Sequence, residues 1–524
     1  MKKAFYTIAV SLFSISFSSS QNLAVLKDIN PSGDAAPGNF VEFNNKVIFS
    51  ASGSNGHELW ITDGTTAGTQ ELKDINTNGD AYPANFTVFG NKLLFSATDS
   101  NNDTELWITD GTSAGTTLLK NINASASSFP ANFIVFNNKV FFTADDGTNG
   151  KEIWISDGTA AGTSLFTDLT PGNTGSFANS FTIVNNKLYF AGMDANHHFD
   201  LYVTNGTSAG TQIITTPNAP NGSNPYNLIG LGNKLIFNGS DDVNGDELFM
   251  YDGTIISILN DILSGTGSSN TTQLGIYNNE LYFSSTNGTS YNIYKTDGTV
   301  TGTVQVTNHT GLSSPVSQAF FENNFLHYVY ADANNVKKLN RLDLTTMTDV
   351  SYYNNTSAFF SPAGFKKINN TIYFVSNDSL YSMLLYKIND VSGFDFEAVM
   401  PNDSIQYSFT NTLNLFLLNG KILASGNFDN DYGHEIYIID NIGVINTLNI
   451  EEKNFSVYPN PVINELTISG DTEFTFNVLS GDGRRIMTSD NSALQHTVNV
   501  DHLQSGIYFI NIENNPKTIK FIKL

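Results

Sequence analysis

Two acidic loops are the first places to look for chemistry. Asp241-Asp242-Val243-Asn244-Gly245-Asp246 and Asp429-Asn430-Asp431-Tyr432-Gly433 set oxygen donors at the close spacing of calcium loops, with glycine permitting the sharp turn. Asp241, Asp242, Asn244, Asp246, Asp429, Asn430 and Asp431 are thus the calcium candidates, and calcium is the one cofactor these residues suggest. Neither loop supplies the terminal bidentate acid of a full site, and both fall where Asp, Asn and Gly form ordinary turns. The eight histidines show no metal-protease spacing. Their one adjacent pair, His197-His198, would point to opposite faces of a strand. No Gly-x-Ser-x-Gly elbow, phosphate loop or dinucleotide fingerprint stands in a strand-turn-helix context. No catalytic residue is assigned. Paired carboxylates for glycoside cleavage stay open, because their separation is invisible in a sequence.

The elements that would position any such site repeat. Glu58-Leu59-Trp60-Ile61-Thr62-Asp63-Gly64-Thr65-Thr66-Ala67-Gly68-Thr69 returns at Glu105 and again at Glu152, a period of about 47 residues that suits one four-stranded blade. Within a unit, Phe40-Val41-Glu42-Phe43 and Lys46-Val47-Ile48-Phe49 flank Asn44-Asn45, which reads as a tight hairpin. The Trp phrase supplies a third strand, the Asp63-Gly64-Thr65 turn follows, and Thr69 to Ile75 makes a fourth. The hairpin rhythm continues to Asn419-Gly420-Lys421, about nine units in all. Continuous apolar runs such as Val47-Ile48-Phe49 imply sheets covered on both faces. The expected fold is therefore all-β: a multi-bladed β-propeller of about eight or nine four-stranded blades, followed by a small C-terminal β-sandwich. Ala24 to Ile29 matches the fourth-strand phrase Glu71 to Ile75, so it is expected to complete the last blade by pairing near Glu435 to Asp440. Trp60, Trp107 and Trp154 give way to Tyr202, Phe249 and Tyr294, which keeps a large ring and drops its polar handle, the mark of packing. Asp63, Asp110 and Asp157, with Gly64, Gly111 and Gly158, read as turn-forming for the same reason of recurrence.

Composition bounds the partners. The chain carries a formal net charge of -24 with only 14% charged residues, which disfavours nucleic acid and anionic membrane surfaces. Lys2, Lys3, an apolar stretch from Ala4 to Phe17 and small residues before Gln21 read as an export signal over 1–20. No later apolar run reaches the roughly 20 residues of a membrane span. The absence of cysteine leaves stability to the core. The propeller is expected over 21–450, and the rhythm stops near Glu451, leaving 451–524 as a second domain of short strands.

The Glu-Leu-Trp-x-x-Asp-Gly-Thr phrase resembles the ELWxxDGT repeat family, whose members are exported bacterial proteins of unassigned activity. The tail looks like the type A C-terminal sorting domain of the type IX secretion system, on Tyr458-Pro459-Asn460-Pro461, on Gly506 and Tyr508 in the Leu503 phrase, and on the basic end at Lys523. That resemblance implies the type IX machinery as a partner and a protein secreted or attached to the outer-membrane surface. The reading is of a non-enzymatic propeller that binds a glycan or protein ligand through its loops. The alternative is a secreted carbohydrate-active enzyme using carboxylates on one propeller face.

Overall fold

The computed structural model describes residues 22–524 apart from 313, 323, 333, 335, 352–361, 369–370, 378–382, 389–395, 399–414, 420, 427–433, 441–454, 459–461, 481–484, 490 and 513–517. The export signal at 1–20, the loop of Asp429, Asn430 and Asp431, and Pro459, Asn460 and Pro461 therefore lie outside the described residues. The chain divides into two compact units, Met1–Ile442 and Gly443–Leu524.

The described residues of the first unit form nine four-stranded antiparallel sheets. Sheet 1 consists of Gly38–Phe43, Lys46–Gly53, Gly56–Thr62 and Gln70–Lys73, paired in chain order. Sheets 2 to 8 repeat the plan over 84–120, 131–167, 179–214, 226–260, 272–305, 317–351 and 363–398. Asn44 and Asn45 (φ 51° and 60°), Asn137 and Asn138, and Asn185 and Asn186 all hold positive φ. Two-residue hairpins whose twist matches the strands require this of both central residues. Sheet 9 takes Leu415–Leu418, Lys421–Gly426 and Glu435–Asp440 from its own stretch and Asn22–Lys27 from the other end of the chain. Asn22 faces Asp440 and Lys27 faces Ile436, as the matching phrases foretell.

Each sheet buries both faces. Val47, Phe49 and Trp60 pack with Leu26, Leu418 and Ile436 of sheet 9, while Ile48, Leu59 and Ile61 pack with Leu93, Phe95 and Trp107 of sheet 2. The pattern runs on to sheets 7 and 8, where Val329 and Leu339 meet Ile372 and Phe374. Lys366 of sheet 8 lies over the Phe416 ring of sheet 9, so the row of sheets returns to its start. Trp60, Trp107 and Trp154 are buried opposite Phe49, Phe95 and Phe142. Tyr202, Phe249 and Tyr294 sit opposite Phe190, Phe237 and Phe283 in the same way. Among the described residues none of the three indole N–H groups has a hydrogen-bond partner. The ring's bulk is what is used, which explains why Tyr and Phe can replace it.

The Asp-Gly-Thr turn is a closed hydrogen-bonding unit. Asp63 Oδ1 accepts from Thr65 N (2.9 Å) and Thr65 Oγ1 (2.7 Å), and Thr62 Oγ1 accepts from Gly64 N (3.0 Å). The Thr65 hydroxyl holds the Asp63 carboxyl below its ordinary pKa, and Asp110 and Asp157 repeat the arrangement with Thr112 and Thr159. Gly111 has φ 88°, and a Cβ there would meet Phe43 of the preceding sheet at 3.3 Å. Gly115 explains the end of the phrase: a Cβ would stand 2.1 Å from Asp110 Oδ1. Gly115→Ala is expected to lower stability by about 1–3 kcal/mol in denaturant titrations. Adding Asp110→Ala should restore part of the loss, and simple additivity of the two changes would refute this account.

In the second unit, Phe455–Tyr458, Glu465–Phe474 and Ala493–Asn499 form one sheet, and Arg485–Thr488, Phe476–Ser480, Gly506–Ile512 and Thr518–Lys523 form another. Leu466, Ile468 and Val498 of the first share one core with Val478, Ile510 and Phe521 of the second.

Candidate functional site

Among the described residues, a buried carboxylate fixes five of the loops that follow a sheet's fourth strand. Glu58, Glu105, Glu152, Glu247 and Glu435 begin the Trp phrase or its echoes and are fully buried. Glu58 accepts from Ile75 N (2.7 Å) and Asn76 N (3.4 Å). Glu105 accepts from Ile122 N (2.7 Å), Asn123 N (3.3 Å), Ser128 N (3.1 Å) and Ser128 Oγ (2.6 Å). Glu435 accepts from Ile29 N (2.9 Å) and Asn30 N (3.2 Å) across the closing seam. Desolvation pushes Glu58, Glu247 and Glu435 up to about 7. Sequence reading gives these glutamates no role, because their partners lie in the next loop. Their recurrence at the head of the phrase is the signal that could have found them.

Four of these loops, and the loop after sheet 4, then cross the entrance of the preceding third strand. The N–H groups of Ala36, Tyr82, Phe129, Phe177 and Asn224 donate to His434 O, His57 O, Thr104 O, Lys151 O and Phe199 O over 3.0–3.2 Å. These five residues, and Asn270 after them, share φ between 45° and 48°. Asn tolerates positive φ, whereas a bulky aromatic there is an outlier costing about 1–2 kcal/mol. The three aromatics are nevertheless exposed: Tyr82 by 61%, Phe129 by 59% and Phe177 by 47%. Tyr82 is also held in place, its OH donating to Asp80 Oδ2 (2.9 Å) and its ring stacked on His57 at 5.3 Å. Three neighbouring loops thus present an arc of aromatic rings at one end. Sequence analysis missed the arc, although Tyr82-Pro83 and Phe129-Pro130 recur in step with the repeat.

The calcium candidates at 241–246 do not converge. Asp241 Oδ1 accepts from Val243 N (3.0 Å) and Asn244 N, capping its own turn. The Asp246 carboxylate receives Tyr226 OH at 3.1 Å from both oxygens. Among the described residues no group of three His, Asp or Glu side chains could hold a metal ion. His197 and His198 occupy a turn closed by Asp194, with His197 at φ 67°, and not a strand. That corrects the opposite-faces reading: Asp194 accepts from the Asn196 and His198 amides and bends the chain before Phe199–Thr204 begins.

In the second unit, Gly506 pairs with Lys523 and Tyr508 with Phe521 on adjacent strands. The Tyr508 ring stacks on Phe521 at 5.5 Å and its OH donates to Gln504 O (2.9 Å). Tyr458 pairs with Thr467 at the edge of the other sheet. Residues 456–523 match the family described as secretion system C-terminal sorting domain. The tail is a type IX sorting domain. It directs the protein out of the cell and to the outer-membrane surface, and through it the chain engages the type IX secretion machinery. No helix among the described residues is long and apolar enough to cross a membrane.

No curated protein matches the chain. Among solved structures, dipeptidyl peptidase 4 of Porphyromonas gingivalis is similar at 10% identity and TM-score 0.49, over 76% of this chain and 65% of that one. The β-propeller domain of the trilobed protease from Pyrococcus furiosus is similar at 12% identity and TM-score 0.33, over 62% of this chain and 99% of that one. A puromycin hydrolase is similar at 12% identity and TM-score 0.35, over 66% of this chain and 58% of that one. The chain thus spans under two thirds of that hydrolase's length.

Proposed function

We propose that the first unit is a nine-bladed β-propeller of the ELWxxDGT type, that the tail's two sheets form a small β-sandwich, and that the exported protein binds a glycan chain through Tyr82, Phe129 and Phe177 without turning it over. One observation carries the reading. At Asn224 and Asn270 the same backbone is built with the residue that suits it, so the fold does not need aromatics at 82, 129 and 177. Exposed rings held at an unfavourable φ signal a use outside folding. Flat, separately mounted rings suit the apolar faces of successive sugar units in an extended chain. Acids near these loops are taken up locally: Asp80 by His57 N and Tyr82, Asp99 by Asn101 N, Asp146 by Thr148 N and Asn149 N. That disfavours the paired free carboxylates of a glycosidase.

The test replaces all three rings with the residue their backbone prefers. Tyr82→Asn/Phe129→Asn/Phe177→Asn is expected to hold or raise the melting temperature and to weaken binding on a polysaccharide array by at least about tenfold, the equivalent of 1.4 kcal/mol. A lower melting temperature would mean that the rings serve the fold. Unchanged binding would remove them from the site.

A further inference from the structure

Sheet 6 departs from the plan where sheets 1, 2, 3, 5 and 9 bury a glutamate. Asn292 stands in the place of Glu58 and Glu247 and holds its loop with a shorter side chain. Its Oδ1 accepts from His309 N (2.6 Å) and Thr307 Oγ1 (3.2 Å), and its Nδ2 donates to His309 O (3.4 Å). Between that loop and residues 287–292 lies a cavity of about 330 Å³, in the size range of small-molecule sites. We propose that this cavity binds a single neutral sugar residue, at a site independent of the aromatic arc.

The lining has unspent hydrogen-bonding capacity of both signs. Asn287 Oδ1 is committed to Thr289 N (3.1 Å), Thr289 Oγ1 (2.7 Å) and Ser290 N (3.3 Å), which leaves its Nδ2 to donate. The Asn308 amide has no partner among the described residues, and neither has His309 Nδ1. Sheet 7 fixes the imidazole from behind. His309 Nε2 lies 3.1 Å from Tyr328 OH and 3.3 Å from Asp349 Oδ2, and the ring stacks on Tyr330 at 5.1 Å. Burial holds the His309 pKa down against the pull of Asp349, so the ring is uncharged at neutral pH.

The chemistry of the ligand follows from the rest of the lining, which includes Thr289, Ser290 and Gln305. Amides, hydroxyls and a neutral imidazole match a molecule that alternates O–H donors and acceptors. A phosphate or carboxylate calls for Arg or Lys, neither of which lines the cavity. The net charge of -24 repels anions further.

Saturation-transfer NMR on the mature chain tests this with glucose, galactose, mannose and N-acetylglucosamine, beside glucuronic acid and glucose 6-phosphate. At least one neutral sugar should receive saturation, and the two acids should receive less. Asn287→Asp keeps the turn-capping oxygen while replacing the free donor, and Asn308→Ala alters only an exposed side chain. Together they should weaken binding about tenfold or more, with an unchanged thermal melt. The triple arc variant should bind the sugar as before. Absence of saturation from all four neutral sugars, preference for the acids, or full binding by the Asn287/Asn308 variant overturns the proposal. Loss of polysaccharide binding in the arc variant alone leaves it standing.

Discussion

A chain lacking residues 22–30 should lose most of its stability and expose apolar surface. Leu26 and Ile29 are buried, worth about 1.5–3 kcal/mol each. A second effect is on Glu435, whose buried carboxylate accepts from the Ile29 and Asn30 amides. Without those two amides its carboxylate loses most of its hydrogen bonds, at a cost of about 1–3 kcal/mol. The sum is comparable with the roughly 5–15 kcal/mol that holds a typical domain together. Differential scanning calorimetry should show the first unit melting far earlier or not folding at all. Supplying the missing strand as a synthetic peptide should recover part of the transition. A deletion variant that melts like the parent would show that the seam between sheets 9 and 1 contributes little.

Raising the pH from 5 to 8 should remove the stabilisation that three buried glutamates give the first unit. Glu58, Glu247 and Glu435 rise from an ordinary 4.5 to about 7 through desolvation. Between those values the folded chain holds more protons than the unfolded one, so the unfolding free energy falls as pH climbs. Their contribution is complete below 4.5 and lost through about 7, and amounts to at most about 3 kcal/mol for each. The turn acids act oppositely: Asp63, Asp110, Asp157 and Asp297 are lowered from 3.8, so their stabilisation is present above 3.8 and is lost in stronger acid. The buried histidines oppose the glutamates: desolvation holds His57, His309, His327 and His434 below 6.5, so their stabilisation is present above 6.5 and is lost as pH falls below it. Glu58→Gln/Glu247→Gln/Glu435→Gln should be less stable at every pH, because an amide N–H would face a backbone N–H, and the gap to the parent should narrow as pH rises from 5 to 8. A triple variant that keeps the parent's dependence on pH between 5 and 8 would refute the assignment.

Much of the fold is local and hence legible. Asn44-Asn45 can hardly do anything but turn, and Val47-Ile48-Phe49 demands cover on both faces. Even the distant pairing of 22–27 with 435–440 could be read, because the phrase at Ala24 copies the one at Glu71. The candidate site was not legible for two physical reasons. The role of Glu58 depends on amides that arrive only when the next loop folds over it. The importance of Tyr82, Phe129 and Phe177 depends on a backbone angle that aromatic residues ordinarily avoid, so composition points away from it. The His197-His198 pair failed more simply: Asp194 makes a turn where the surrounding apolar residues suggest a strand.

The clasp between Glu435 and Ile29 joins groups 406 positions apart. The earliest residues of the chain therefore find their place only after the ninth sheet exists, which makes fastening the slowest and most non-local event in assembly. Until then the row of sheets has two raw ends, each able to accept the wrong neighbour. A nascent chain of this kind needs shelter until its last sheet has been made.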